Sequence, residues 1–258
     1  MKNTYSEMKD SGIPCFRNVP KYWQKRRLKS LLKILRGGSP RPIEEYLTDA
    51  ADGINWIKIG DATKGGKTIY QTKQKIKVSG VAKSRMVHKG DLLLTNSMSF
   101  GEPYFLETDG CIHDGWVCFT QITDIDKLFL YYYLLSDCCS TQFKLQVDGG
   151  VVQNLNIDKI GNTFLFLPPL PEQTAIAAYL DEKCGTIDEI IAEAKASIEE
   201  YKAWKASIIY EAVTQGLDPT TKMKDSGIAW VGTIPSHWLS KPIGALFQEI
   251  RTKNKDHQ

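Results

Sequence analysis

Residues 172–215 constrain the fold of this chain most. They contain no proline and a single glycine, Gly185. Pro171 precedes them, where a missing N–H costs nothing at a helix start, and Gly216 and Pro219 follow as a stop. Between these limits Leu180, Cys184, Ile187, Ile191, Ala194, Ile198, Tyr201, Lys205, Ile208 and Ala212 recur at alternating steps of four and three. That is a heptad seam with one charged intrusion, Lys205. The spacing predicts one helix roughly 65 Å long at 1.5 Å per residue. So long a stripe has to be buried against another helix. The chain has no second helical pattern of comparable length, so the seam points to a partner chain. With nine Asp/Glu against four Lys/Arg over 172–214, the helix reads as a spacer and protein-docking surface, not as a grip on phosphates.

An internal repeat flanks this helix. Residues 8–23 read MKDSGIPCFRNVPKYW and residues 223–238 read MKDSGIAWVGTIPSHW, eight identities in sixteen at an offset of 215 with no gap. Met8, Lys9, Asp10, Ser11, Gly12, Ile13, Pro20 and Trp23 are the matched residues of the first copy. A repeat of this period marks one structural unit used again. One full unit is followed by the start of another, which divides the chain into 1–170, 171–216 and 217–258.

Between the first copy and the helix the pattern is mixed. Leu28, Leu31, Leu32 and Leu35 predict a helix over 25–35 that stops at Gly37 and Gly38. Short apolar runs at 54–59, 91–95, 102–106, 116–122 and 163–167 predict strands. Residues 128–144 predict one buried helix, with Tyr131, Tyr132 and Tyr133 in its core face. The expected class is α+β: one mixed domain over 24–170, then a long coiled-coil-type helix.

Composition and motifs narrow the chemistry. Six cysteines form no C-x-x-C pair and the four histidines are scattered, which argues for free thiols in a reducing cytosol and against a zinc site. No signal pattern or span of about 20 apolar residues is present, so a cytoplasmic protein is expected. Pro168-Pro169 lies between leucines and lacks the polar and aromatic residues of an adenine methyltransferase motif. Gly66-Lys67-Thr68 lacks the earlier glycine of a phosphate loop, because Asp61 stands there. Glu193 and Lys195 sit inside the helix as a solvated pair. No catalytic residue, metal or bound cofactor is expected.

Charge is distributed unevenly. Residues 1–90 hold 20 Lys/Arg against 7 Asp/Glu, while the remaining residues hold 13 against 23. Such a surface suits a polyanion, and a solvated basic face is the competing explanation. Candidate contacts are the loop Arg36, Gly37, Gly38, Ser39 and Arg41, and a second loop with Lys64 and Lys67. A stretch follows in which Lys73, Lys75 and Lys77 alternate with other residues. Asn96 and Ser97, and the loop Gly149, Gly150, Gln153 and Asn154, complete the set. These are the residue types that reach phosphates and base edges. Taken singly each could equally be an ordinary turn, and the lysine stretch could be a protected sheet edge.

Together these segments resemble the specificity subunit of Type I restriction–modification systems. The motif Asp10-Ser11-Gly12-Ile13, Val19-Pro20 and Trp23 resembles the start of each half of that subunit. The joint Leu167-Pro168-Pro169-Leu170-Pro171-Glu172-Gln173 resembles the passage from recognition domain to conserved helix. The run from Tyr179 to Asp188, and that from Glu211 to Pro219, resemble the helix and its exit. The resemblance implies a target-recognition domain that binds half of a bipartite site in double-stranded DNA. Two helices would pair to set the distance between half-sites. Modification subunits carrying S-adenosylmethionine, and restriction subunits using ATP and Mg, would dock on the scaffold. The family subunit has two domains and two helices; this chain has one of each, as a half-subunit, a fragment or an interrupted gene product. A half-subunit implies a homodimer. The competing classes are a degenerate enzyme and a coiled-coil adaptor, or non-functional remnant, without sequence-specific DNA binding.

Overall fold

The computed structural model describes residues 5–97, 101–147 and 155–247. Its strands are β1 (Met8–Asp10), β2 (Asn18–Pro20), β3 (Gln24–Arg27), β4 (Lys33–Arg36), β5 (Leu47–Thr48), β6 (Ile54–Ile57), β7 (Thr68–Ile69) and β8 (Gln74–Ile76). They continue with β9 (Arg85–Val87), β10 (Leu92–Thr95), β11 (Pro103–Leu106), β12 (Gly110–Ile112), β13 (Trp116–Thr120), β14 (Phe164–Leu167), β15 (Met223–Asp225) and β16 (Thr233–Pro235). The helices are α1 (Val78–Val81), α2 (Lys127–Leu135), α3 (Asp137–Val147), α4 (Ile157–Asn162) and α5 (Leu170–Gln215). The chain is α+β, with the long helix following the sheet domain, and two compact units, 1–184 and 185–258, divide within that helix.

Two five-stranded sheets build the first unit, in the orders β4-β13-β10-β11-β7 and β5-β8-β6-β12-β9. All pairings are antiparallel except β11 with β7 and β12 with β6. The leucine run of β10 shows how the core is layered. Successive side chains leave opposite faces of a strand. Leu92 and Leu94 pack into one cluster with Phe119, Leu130, Phe143 and Leu165. Leu93 packs into another with Ile57, Tyr104, Ile112 and Trp116. Both faces of β10 are therefore buried, which is why its sequence is apolar without alternation.

Two helix predictions need correction. Residues 25–35 are not a helix but β3, a 3-10 turn over Leu28–Ser30, and β4. The buried Leu28, Leu31 and Leu32 meet the i, i+3, i+4 pattern with a single turn. Polar β3 is strand because β14 needs a partner, with Lys25 opposite Phe166 and Arg27 opposite Phe164. Long-range pairing overrides the local period. Residues 128–144 are two helices, broken at Ser136. Its hydroxyl donates to Tyr133 O at 2.6 Å and accepts Cys139 N at 3.2 Å, so one side chain ends α2 and caps α3.

The cysteines also differ from expectation. Cys15 and Cys138 are joined as a disulfide, while Cys111, Cys118, Cys139 and Cys184 are free. Among the described residues no cluster of His, Cys, Asp and Glu could hold a metal, and no helix is long and apolar enough to cross a membrane.

The repeat recurs atom by atom. Gly12 N bonds Asp10 Oδ1 at 3.0 Å, and Gly227 N bonds Asp225 Oδ1 at 2.9 Å. Lys9 Nζ donates to Trp23 O at 2.8 Å, and Lys224 Nζ to Trp238 O at 2.6 Å. Gly12 and Gly227 both take positive φ, 64° and 74°, which makes the glycine necessary in each copy. β1 pairs with β2, and β15 with β16, in the same register.

Candidate nucleic-acid interface

The joint between domain and helix is built from Glu172 and Gln173. Glu172 accepts the hydroxyls of Tyr5 at 2.9 Å and Tyr22 at 3.0 Å, and Trp23 Nε1 at 3.3 Å. Burial, then the Glu172 contact, pushes the Tyr5 phenol up to about 12. Gln173 is buried, its amide donating to Asp124 O and Pro168 O while its carbonyl accepts Asp126 N. The first copy of the repeat and the segment leading into α2 are thereby fixed to the first turn of α5.

Along α5 the seam residues differ in exposure. Leu180 and Cys184 are half-buried; Ile187, Ile191, Ala194, Ile198, Tyr201 and Ile208 are exposed. The exposed stripe is wider than the heptad seam, because Ile190 and Trp204 stand beside it. Trp204 lies next to Lys205, with its ring 6.5 Å from that of Tyr201, so it adds apolar bulk where the seam is interrupted.

The candidate loops diverge in what they do. Loop 36–41 wraps the turn between β12 and β13. Arg36 Nε donates to Asp114 O at 3.0 Å, Ser39 Oγ to Asp114 Oδ1 at 2.7 Å, and Arg41 stands 3.7 Å from Asp114 Oδ2. The Ser39 hydroxyl, with the Arg36 guanidinium nearby, holds the Asp114 carboxyl below its ordinary range. Gly37 and Gly38 do not offer free N–H groups: they bond Trp116 O at 2.9 Å and Ile112 O at 3.1 Å. A Cβ on Gly37 would lie 2.0 Å from His113 O, so glycine is required by backbone approach. The exposed guanidinium of Arg41 and the half-buried Ser39 are what this loop presents.

Beside them is a groove of about 790 Å³ lined by Ser39, Arg41, Trp56, Lys58, Gln74 and His113. Lys58, Gln74, His113 and Asp114 were not legible as site residues, because only long-range pairing of β12, β6 and β8 assembles them. Burial depresses the His113 pKa and keeps the ring neutral. Gly115 N lies 2.7 Å from Nδ1 and Ile59 N 3.1 Å from Nε2. A neutral imidazole has one acceptor nitrogen, so it serves one of these at a time.

Other candidates are separated from this site. Lys64 is exposed and has no ion-pair partner among the described residues. Lys67 is committed elsewhere: its ammonium pairs with Asp181 of α5 and lies 5.6 Å from the Tyr131 ring centre. The lysine stretch is not a sheet edge, since β8 lies between β5 and β6. Within it Lys73 is exposed, Lys75 Nζ reaches Ala51 O at 3.4 Å, and Lys77 Nζ donates to Glu45 O at 2.7 Å. Asn96 is buried, its backbone bonded to Gly115 and Leu155 and its side-chain amide donating to Asp114 O at 3.3 Å; Ser97 is half-buried. Gly149, Gly150, Gln153 and Asn154 lie outside the described residues.

The described residues thus comprise a mixed-sheet domain with basic loops and a long helix with an exposed apolar stripe. Residues 20–200 match the family model of the Type I restriction modification DNA specificity domain, and the chain belongs to that family. It is 22% identical over 222 residues to the Type I restriction enzyme EcoBI specificity subunit of Escherichia coli, covering 85% of this chain and 44% of that protein. It is 25% identical over 224 residues to the MjaVIII specificity subunit of Methanocaldococcus jannaschii, covering 85% and 48%. The chain thus spans about half the length of these curated relatives. The HsdS subunit from Thermoanaerobacter tengcongensis shares the fold at TM-score 0.55 and 21% identity, covering 81% of this chain and 48% of that one. A chain from a structure of type I R-M complex assembly and conformational transition shares it at TM-score 0.63 and 21% identity, covering 77% and 47%.

Proposed function

We propose that the chain is a DNA sequence-specificity subunit, or half-subunit, of a Type I restriction–modification complex. It binds one half of a bipartite target in double-stranded DNA and carries no catalytic group of its own. Modification subunits supply S-adenosylmethionine and take the flipped adenine, and restriction subunits bring ATP and Mg. The observation that carries this reading is the joint. Glu172 and Gln173 tie the recognition domain to the first turn of a helix whose apolar stripe is exposed from Ile187 onward. Pairing of that stripe with a second copy would give a symmetric reader, in which helix length fixes the separation of two half-sites.

Adenine methylation mapping in a host that expresses the chain with a modification subunit tests the proposal. One new palindromic bipartite motif is expected. A non-palindromic motif would assign the second recognition domain to another chain, and no new methylation would leave a coiled-coil adaptor. Arg36→Glu with Arg41→Glu should weaken DNA binding in the complex with the modification subunit, and unchanged affinity would remove this loop from the interface.

A further inference from the structure

The second copy of the repeat is an internal control for the first. Past Trp238 most of the paired residues differ, Leu31 and Leu246 excepted, but the backbone match continues: a 3-10 turn over Ile243–Ala245 stands 215 residues after the one over Leu28–Ser30. Leu31 N bonds Leu28 O at 2.9 Å, and Leu246 N bonds Ile243 O at 3.0 Å. Leu32 N and Phe247 N close on the same two carbonyls at 3.2 and 3.0 Å. The three apolar positions are kept in both copies. Four cations are not: Lys25, Arg27, Lys29 and Lys33 correspond to Ser240, Pro242, Gly244 and Gln248. The motif therefore forms its turn without them.

In the first copy these cations line the outside of a segment whose leucines are buried beneath. Lys25 and Arg27, two apart on β3, each lie 4.8 Å from the centre of the Phe164 ring. Arg27 bonds only a neutral acceptor, Asn162 Oδ1, at 3.1 Å. Lys29 and Lys33 line a groove of about 450 Å³ with Gln121, Thr123 and Asp158. None of the four forms an ion pair among the described residues, Asp158 included. The Phe164 ring attracts Lys25 and Arg27, but it carries no net charge, so the mutual repulsion of the four cations is left for a polyanion to relieve. β4 runs from Lys33 to Arg36, so the cluster leads directly into loop 36–41.

We infer that Lys25, Arg27, Lys29 and Lys33 form a phosphate-binding strip for double-stranded DNA, holding the backbone without reading sequence. The choice of DNA over an acidic protein surface rests on the specificity-subunit reading. The test is fluorescence anisotropy of the full chain across a salt series, on a duplex carrying its methylated motif and on one of unrelated sequence. In K25Q/R27Q/K29Q/K33Q the slope of log affinity against log salt should be shallower by about 3 to 4, at about 0.9 per phosphate contact, and equally so on both duplexes. The pairs K25Q/R27Q and K29Q/K33Q should each remove about half of that change, which keeps the readout if the fourfold variant fails to fold. An unchanged slope overturns the strip, while a retained preference for the motif leaves the proposed function standing. A loss confined to the motif duplex overturns it too, because the residues would then be reading bases. Intact DNA binding with lost protein association would assign the strip to an acidic protein partner. A native chain with no affinity for either duplex would overturn both readings.

Discussion

The side-chain carbonyl of Gln173 accepts the backbone N–H of Asp126 at 2.9 Å, so the first turn of α5 supplies the hydrogen bond that the start of α2 requires. The same side chain donates to Asp124 O at 3.1 Å and Pro168 O at 2.9 Å. Gln173 is 1% exposed, so no water replaces these partners. Gln173→Leu would leave one donor and two acceptors unmet and should cost about 2–4 kcal/mol of unfolding free energy, read from urea titration. Gln173→Glu should not rescue it, because a carboxylate would face two carbonyls. Stability within about 0.5 kcal/mol of the native chain would show that the joint is not held this way.

Lys67 and Lys64 belong to one loop, but the structure gives them different tasks. Lys67 pairs with Asp181 of α5, and Tyr132 donates to the same carboxylate at 2.7 Å. The lysine, then the tyrosine hydroxyl, holds the Asp181 pKa below its ordinary value. A depressed carboxylate pKa gives stability that is present above the unfolded value and lost as pH falls through the folded one. Exposure of both partners keeps the pair to within about 1 kcal/mol. Lys64→Gln should therefore weaken DNA binding and flatten its salt dependence. Lys67→Gln should leave the salt dependence unchanged and lower stability slightly. Equal effects on the salt slope would return Lys67 to the DNA-facing set.

Much of the architecture is legible in the sequence; apart from the local break at Ser136, the strand and site differences share one physical reason, long-range pairing. The helix from Leu170 to Gln215 and the repeat at offset 215 are carried by local signals, a heptad period and a turn motif. The strand runs of β6, β10, β11, β13 and β14 likewise fall within the expected segments. The helical period over 25–35 misleads because β3 is strand only through its pairing with β14, more than 130 residues away. The site shows the same limit. Arg41 and Ser39 could be named from residue type, but their anchor Asp114 and neighbour His113 could not. The loop glycines fit a phosphate cradle by sequence, yet their N–H groups are consumed by Trp116 and Ile112 carbonyls.

His113 makes the groove sensitive to pH. Burial lowers its pKa below the ordinary 6.5, so the folded chain holds a neutral ring where the unfolded chain is protonated. Stability is therefore full above about pH 6.5 and declines as pH falls toward the folded pKa, by at most about 1.4 kcal/mol per pH unit for one proton. Unfolding midpoints in urea between pH 7 and pH 5 should follow that slope. His113→Gln should flatten it in this window, and an unchanged slope in the variant would place the proton uptake on another group.

The exposed stripe of α5 makes the oligomeric state the most direct consequence of the sequence. Ile191 and Ile198 stand at its middle, about half exposed in the single chain. Ile191→Asp with Ile198→Asp places two charges in a surface that only apolar contact can close, and should give a monomer in sedimentation equilibrium. Lys205→Leu is the opposite test. If the seam pairs with a second copy, filling its one charged position should tighten association by at least about tenfold, since burying a leucine is worth about 1.5–3 kcal/mol. If Lys205 instead sets the register, the same change should yield larger oligomers or mixed alignments. A dimer that survives both aspartates would place the interface away from this stripe and remove the symmetric reader from the proposed function.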